Sequence, residues 1–126
     1  MIIVTQDPID TREAYDLMAK EHSGSVVLHY AVVKENNDPA RPTVAIDYRA
    51  NGDVAAELAE IADDLRARFT VEDVLLIRRT ARVGVGEIIS LVAASSPNSE
   101  DAFEACRAGI ARLKKMSTIA KTELFV

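Results

Sequence analysis

Two lysines near the end of the 126-residue chain have the side chains best suited to chemistry. Lys114 follows the apolar residues of a predicted helix, and Lys121 stands seven residues later in a β-prone segment. A helix end and the strand after it can bring two amines to one cleft, where their mutual repulsion helps one of them to act as a proton acceptor. Such a pair also holds phosphate or another anion by point charge. In a purely structural role, Lys114 extends to water beside the helix C-terminus and Lys121 protects an edge strand.

The last predicted helix determines where Lys114 points. Its apolar residues recur at helical spacing, and the buried stripe that they predict consists of Phe103, Cys106, Ile110 and Leu113. At about 3.6 residues per turn, Lys114 and Arg107 border this stripe. We therefore place Arg107 among the expected substrate-binding residues. Either Ser96 or Ser99 is expected to cap the helix N-terminus.

Further cations could add to an anion site. Lys34 and Arg41 flank a polar loop with two prolines, and loops of this kind often carry function; the alternative is that they are ordinary surface charges. Arg78, Arg79 and Arg82 form a basic cluster along a strand and turn; they could add to such a site, and the alternative is a solvated face paired with acidic residues.

Charge and composition exclude several classes of protein. The net charge of −5 argues against a general attraction to nucleic acid, so an anionic small molecule would need a local basic pocket. The sequence has no run of about 18 apolar residues, so no membrane span is predicted. No leader peptide is visible at the start, and we therefore expect a cytosolic protein. Cys106 and His29 are interpreted as core residues. With one cysteine and two histidines, no disulfide, metal site or cofactor is expected.

The element pattern predicts an α+β fold in a single domain, residues 1–126. Its predicted order is β-α-β-β-α-β-β-α-β, with helices packed on a mostly antiparallel sheet and residues 74–94 forming a hairpin-type pair. A capping box at Asp10 predicts a helix of about three turns that ends near Gly24. A longer amphipathic helix is predicted from Val54 to Phe69. Its outer face, interpreted as solvated, carries Glu57, Glu60, Asp64, Arg66 and Arg68.

Four stretches of the chain, in order, resemble the large subunit of molybdopterin synthase. The family's opening strand and turn resemble residues 3–10, and its Gly-Ala-Val-Val strand start resembles residues 23–27. Its His-Arg-x-Gly-x-x-x-x-Gly-Glu segment resembles residues 78–87. The most specific stretch matches the family's last helix: Ala102-Phe103-Glu104-Ala105-Cys106-Arg107, followed by Ile110, Leu113 and Lys114.

This resemblance implies an α/β-hammerhead-like fold and a sulfurtransferase. In that family, sulfur arrives as the C-terminal thiocarboxylate of a small ubiquitin-like subunit and is added to cyclic pyranopterin monophosphate in molybdenum cofactor biosynthesis. Large subunits pair as a dimer. The family's two active-site lysines fall on Lys114 and Lys121. The resemblance thus implies catalytic roles for both. We assign Lys34 and Arg41, which flank the loop after the long strand, to substrate binding.

Several family residues are replaced in this chain. Asn98 and Ser99 stand where the family has a His-Arg pair before the last helix, and we assign both to substrate binding. Lys34 replaces a family arginine, and His29 stands at an aromatic position. Loss of a proton-transfer group or an anion clamp can cost about 10²-fold in rate. These replacements therefore predict reduced or altered activity.

Two alternatives to molybdopterin synthesis follow from these replacements. One is a non-catalytic paralogue that binds a ubiquitin-like partner or regulates an active synthase. The other is a different small-molecule transferase built on the same scaffold.

Overall fold

The computed structural model describes residues 1–18 and 20–126, in which strands and helices alternate. In chain order the elements are β1 (Ile2–Thr5), α1 (Thr11–Ala14), β2 (Ser25–Val32), β3 (Thr43–Ala50), α2 (Val54–Arg68), β4 (Asp73–Arg79), β5 (Arg82–Gly84), β6 (Ile88–Ser96), α3 (Ser99–Lys114) and β7 (Ile119–Phe125). The order matches the predicted one except for the short strand β5, which the sequence did not indicate.

The strands form two sheets. The large sheet has the order β1-β4-β6-β2, and the small sheet has the order β5-β3-β7. The β1–β4 pairing is parallel, and the other pairings are antiparallel. The predicted pair within residues 74–94 is confirmed, because Val74 lies opposite Ala94 and Leu76 opposite Val92. The α+β prediction with a mostly antiparallel sheet is confirmed as well.

Helices α2 and α3 cover one face of the large sheet, and α1 covers the other. Leu65 of α2 and Leu113 of α3 pack with Leu76 of β4 in the main core cluster. Ala14 of α1 packs instead against Leu75 of β4, whose side chain points to the opposite face because strand residues alternate. This arrangement places the C-terminal end of α3 over the large sheet.

The prediction of helix α2 is confirmed, including its cap. The carboxylate of Asp53 accepts a hydrogen bond from the backbone N–H of Ala56 at 3.0 Å. Leu58, Ile61 and Leu65 are at most 1% exposed, as their spacing predicted.

The three-turn helix predicted after Asp10 is wrong within the described residues; its predicted span also includes Ala19, which lies outside them. Asp10 does cap a helix, by accepting from the backbone N–H of Arg12 at 2.9 Å, but α1 has only 4 residues. The chain then turns, with Ala14 and Met18 buried and Tyr15 51% exposed. Helices are stabilised mainly by packing of an apolar face, and this segment buries only these two side chains among its described residues. The short length of α1 follows from this limited packing.

Two details of α3 also differ from prediction. Asn98 is the N-cap, because its side chain accepts from the backbone N–H of Asp101 at 2.8 Å. The hydroxyl of Ser96 instead donates a hydrogen bond to the carbonyl oxygen of Thr70 at 2.6 Å, and Ser99 is the first helical residue. Phe103 is 59% exposed rather than buried.

Close approach of α3 to the large sheet explains the exposure of Phe103. A Cβ atom on Gly109 would lie 2.8 Å from Cγ1 of Val92, so only glycine allows the helix to lie this near β6. The face that meets the sheet carries small residues, including Ala102 and Ala105, which are fully buried. Phe103 is therefore turned outward.

Glu57 of α2 is not simply a solvated residue, as its place on the outer face had suggested. Its carboxylate accepts from the backbone N–H groups of Ser117 and Thr118, at 3.1 and 3.0 Å, and from the hydroxyl of Thr118 at 2.6 Å. Glu57 therefore fixes the turn that joins α3 to β7, between Lys114 and Lys121.

Among the described residues, no helix combines the length and the apolar character that crossing a bilayer requires.

Candidate functional site

A cleft of about 660 Å³ lies where the large sheet, the small sheet and the end of α3 meet. We call it the cleft. Three strands of the large sheet contribute to it through residues that share one face: Arg78 lies opposite Ser90, and Ser90 lies opposite Ala31. Because α3 ends before it covers these positions, they form the floor of the cleft.

The small sheet forms the opposing wall. Tyr48 of β3 lies opposite Lys121 of β7, and Ile46 lies opposite Glu123. Residues that alternate along a strand share a face, so these four side chains line the cleft together. The backbone pairing of β3 and β7 therefore fixes where Lys121 stands.

Lys114 and Lys121 line this same cleft, and so does Lys34. Lys114 is the last residue of α3, and Lys121 lies in β7 after the turn that Glu57 holds. All three lysines are exposed, so their amines can reach a ligand that enters from solvent. The pattern in the sequence had suggested this juxtaposition for the first two.

Arg78 is a further cation of the cleft. For Arg78, the alternative of a solvated face is wrong, because only 9% of the residue is exposed. Its guanidinium lies 4.8 Å from the ring centre of Tyr48, and burial lowers the pKa of Arg78 from its ordinary value. Burial also raises the pKa of Tyr48, so the phenol stays neutral near pH 7.

The cleft is locally positive although the chain is acidic. Its lining cations are Lys34, Arg78, Lys114 and Lys121, whereas its carboxylates are Glu35 and Glu123. Glu123 is already engaged, because it accepts from the hydroxyl of Thr43 at 2.5 Å and from the side-chain amide of Asn36 at 3.4 Å. The local basic pocket that an anionic ligand would need is present.

Four other residues predicted to bind substrate lie outside the cleft. Arg41 lies over the ring of Phe125, 3.9 Å from its centre. The side chain of Asn98 caps α3, and Ser99 follows it. Both stand at the far end of α3 from Lys114, about 24 Å away along a helix of this length. Within one chain, they cannot contact a ligand held at Lys114.

Arg107, the remaining candidate, lines a second and largely apolar groove between α3 and β2. This groove of about 340 Å³ also involves Val27, Phe103, Cys106 and Ile110. The guanidinium of Arg107 lies 3.6 Å from the carboxylate of Glu104 and is mostly exposed. We call this feature the α3–β2 groove.

Cys106 lies beneath the α3–β2 groove as a core residue. It is 3% exposed, and burial raises the pKa of its thiol to about 11. The thiol lies 3.5 Å from the carbonyl oxygen of Val92. The interpretation of Cys106 as a packed residue is confirmed, since a thiol so protonated is a poor nucleophile.

Sequence reasoning missed three residues of the cleft. Arg78 and Tyr48 were not assigned to the site, and His29, interpreted as a core residue, is half-buried and lines the cleft. The sequence did contain one signal, the arginine pair 78–79 at the end of an apolar strand. Consecutive strand residues point to opposite faces, and both faces of a central strand are covered, so neither arginine of such a pair is expected on an open surface.

Comparisons with known proteins agree with this geometry. The family model described as MoaE protein matches residues 4–116. A molybdopterin synthase catalytic subunit from Nostoc sp. is 33% identical over 122 residues, which cover 95% of this chain and 73% of that protein. Another from Culex quinquefasciatus is 32% identical and covers 97% of this chain and 78% of that protein.

Solved structures give the same result at the level of fold. The crystal structure of molybdopterin synthase from Staphylococcus aureus superposes with a TM-score of 0.87 at 27% identity, covering 99% of this chain and 90% of that one. A chain in the complex of subunits 1 and 2 of molybdopterin-converting factor from Helicobacter pylori superposes with a TM-score of 0.77 at 18% identity. The match covers 98% of this chain and 84% of that one, and at this identity it shows the fold alone. From the match over residues 4–116 and the 33% identical relative, the chain belongs to the MoaE protein family.

Proposed function

We propose that the cleft transfers sulfur from the thiocarboxylated tail of a small ubiquitin-like subunit to cyclic pyranopterin monophosphate, forming molybdopterin. The observation that carries this proposal is that Lys114 and Lys121, which match the lysines of the resembling family, line one cleft of about 660 Å³. The names of the relatives, molybdopterin synthase catalytic subunits, support the same activity.

The roles of the lysines follow from their exposure and charge. Lys114, at the end of α3, moves protons at the reacting centre or engages the acyl carbon of the partner's tail. Lys121 and Lys34 hold the anionic groups of the substrate as point charges. No metal or cofactor has a part in this scheme.

The partner's tail enters as an extended peptide. The cleft opens to solvent beside the loop that begins at Lys34, and three exposed lysines at its border attract a negatively charged chain end. The relatives are named catalytic subunits of molybdopterin synthase, which supports a second subunit as the partner.

Two copies of the chain pair through the α3–β2 groove. Phe103 is 59% exposed beside this groove, and a large apolar side chain at the rim of an apolar groove is typical of an interface. A twofold axis that crosses α3 makes the two helices antiparallel. The second copy then brings its Asn98 and Ser99 toward Lys114 of the first, which is how these two residues serve substrate.

The pairing is tested by the molar mass in solution. Sedimentation should give a dimer for the wild type and a monomer for Phe103→Glu. Val4→Glu is the matched control, because Val4 is 38% exposed on β1 at the opposite edge of the large sheet. A wild-type monomer at micromolar concentration, or a dimeric Phe103→Glu variant, would contradict the pairing.

The sulfur-transfer proposal is tested by reconstitution. The purified chain is mixed with a thiocarboxylated small subunit and the pyranopterin precursor, and molybdopterin is quantified. Formation of molybdopterin is expected. If none forms while the Staphylococcus aureus enzyme works in parallel, the chain is not a synthase; binding of the small subunit without turnover would then identify it as the non-catalytic paralogue.

A further inference from the structure

Arg78 is a buried cation that no protein group neutralises in the described part of the chain. It lies on β4 at the floor of the cleft and is 9% exposed. Its Nε atom is buried and has no hydrogen-bond partner there, and no carboxylate of residues 1–18 and 20–126 forms an ion pair with it. An arginine so placed has donors available for a ligand.

The next residue provides an internal comparison. Arg79 is equally buried, at 7% exposure, but it points to the other face of β4 and has protein partners. Its Nε donates to the carbonyl of Gln6 at 3.2 Å, and its Nη1 donates to the carboxylate of Glu87 at 3.0 Å. The fold thus pairs the buried arginine that lies away from the cleft and leaves the one within it unpaired.

An unpaired buried charge is costly for the folded protein. Arginine stays protonated in proteins, so Arg78 cannot avoid this cost by losing its proton. The ring of Tyr48, 4.8 Å away, compensates only in part. A buried charge without a protein partner is expected at a functional site, where a ligand supplies the missing partner.

We propose that Arg78 is the central ligand of an oxyanion subsite at the floor of the cleft, which binds the phosphate of the pterin. The planar guanidinium offers Nε and an Nη as a fork that matches two oxygens of one anion, which a lysine cannot do. Ser90, directly opposite Arg78 on β6 and 4% exposed, lines the same floor and offers a hydroxyl. Lys121 adds charge from the facing wall.

The identity of the anion rests on the proposed function, whereas the subsite does not. A terminal carboxylate of the partner's tail has the same oxyanion chemistry as a phosphate. The two sources are therefore separated by measuring inorganic phosphate and acetate independently.

The experiment measures binding to the isolated full chain by calorimetric titration at low ionic strength. The wild type should bind inorganic phosphate, and Arg78→Met should weaken this binding by about 10- to 100-fold, as expected for loss of a charge-assisted pair of hydrogen bonds. Arg78→Lys, which keeps the charge but not the fork, should fall between them. Because Met removes a buried unpaired charge, the melting temperature of Arg78→Met should be unchanged or higher.

Arg79→Met is the matched control: it should lower the melting temperature, because Glu87 loses its partner, and leave phosphate affinity unchanged in the folded protein. If Arg78→Met does not fold, the Arg78→Lys titration decides. Acetate binding that depends on Arg78 in the absence of phosphate binding would assign the subsite to the partner's tail. Equal affinity of wild type and both Arg78 variants for both anions, or no binding of either anion by the wild type, would overturn the subsite.

These outcomes are independent of turnover. A chain that binds phosphate through Arg78 but forms no molybdopterin would contradict the proposed function alone. A chain that forms molybdopterin while Arg78→Met binds phosphate normally would contradict the subsite alone.

Discussion

Lys121 lies directly opposite Tyr48 in the pairing of β7 with β3. Tyr48 is 5% exposed and packs against the guanidinium of Arg78, so the lysine stands on a rigid wall rather than on a loop. Glu57 fixes the turn before β7 from the other side. The backbone position of Lys121 is therefore determined by two sheets and a helix, which suits a residue that must meet a substrate at a defined place.

Removal of the Lys121 amine should impair activity without affecting the fold. In Lys121→Met, the rate of molybdopterin formation should fall by about 10²-fold, and the free energy of unfolding should change by less than about 0.5 kcal/mol, because the residue is exposed. Thr122→Ala, on the other face of β7, is the control and should keep full activity. An active Lys121→Met variant would remove this lysine from the site.

Gly109→Ala should destabilise the protein. The added methyl would lie 2.8 Å from Cγ1 of Val92 and 3.2 Å from Cδ1 of Leu65, so α3 must move away from β6. We expect a loss of about 1–3 kcal/mol in the free energy of unfolding, which is typical of overpacking. Denaturant titration measures it, with the exposed helical Ala111→Gly as comparison; that change should cost about 1 kcal/mol through helix propensity alone. Wild-type stability in Gly109→Ala would show that α3 is not held this close to the sheet.

Glu57→Gln should destabilise the protein near pH 7 but not in acid. Burial by itself raises the pKa of Glu57, but hydrogen bonds from Thr118 and Ser117 outweigh it and hold the pKa below its ordinary value of 4.5. A depressed pKa in the folded state means that the stabilisation is present above pH 4.5 and is lost as the pH falls through the folded-state value.

The measurement compares wild type and Glu57→Gln by urea unfolding from pH 7 to pH 3. Because Gln resembles the protonated acid, the gap should be about 1–2 kcal/mol at neutral pH, as for hydrogen bonds to a partly exposed charge, and should close toward pH 3. Glu60→Gln, an exposed neighbour on α2, should show no such gap. A gap that is constant across this range would contradict the role of the carboxylate.

The accuracy of the predictions from sequence depended on how local each signal was. Helix α2 was predicted correctly because Leu58, Ile61 and Leu65 repeat along a single face. The capping signal at Asp10 was also real, but the length of α1 depended on packing against β4 and β6, which the local sequence does not encode. Ser96 was a reasonable cap by residue type, yet its hydroxyl donates a hydrogen bond to the carbonyl oxygen of Thr70, which lies 26 positions away in sequence.

The same distinction applies to the cleft. Lys114 and Lys121 could be proposed because a helix, a turn and a strand connect them within a short stretch of chain. Arg78 was harder to assign, because its burial depends on neighbours from β3 and β6 that are distant in sequence. Conversely, Asn98 and Ser99 were assigned to substrate binding by residue type and resemblance, although their distance in sequence from Lys114 already implies a separation of about 24 Å along a helix. Arg107 is nearer to Lys114 in sequence, but it lines the α3–β2 groove instead of the cleft.

The central claim is that the amine of Lys114 takes part in sulfur transfer within the cleft. The most direct measurement is the initial rate of molybdopterin formation by Lys114→Ala and Lys115→Ala in the reconstituted reaction, with both variants shown to fold and to bind the small subunit. Lys115 follows α3 as its C-cap and does not line the cleft. We predict that Lys114→Ala loses activity by about 10²-fold or more while Lys115→Ala keeps the wild-type rate. Equal rates in the two variants would contradict the account.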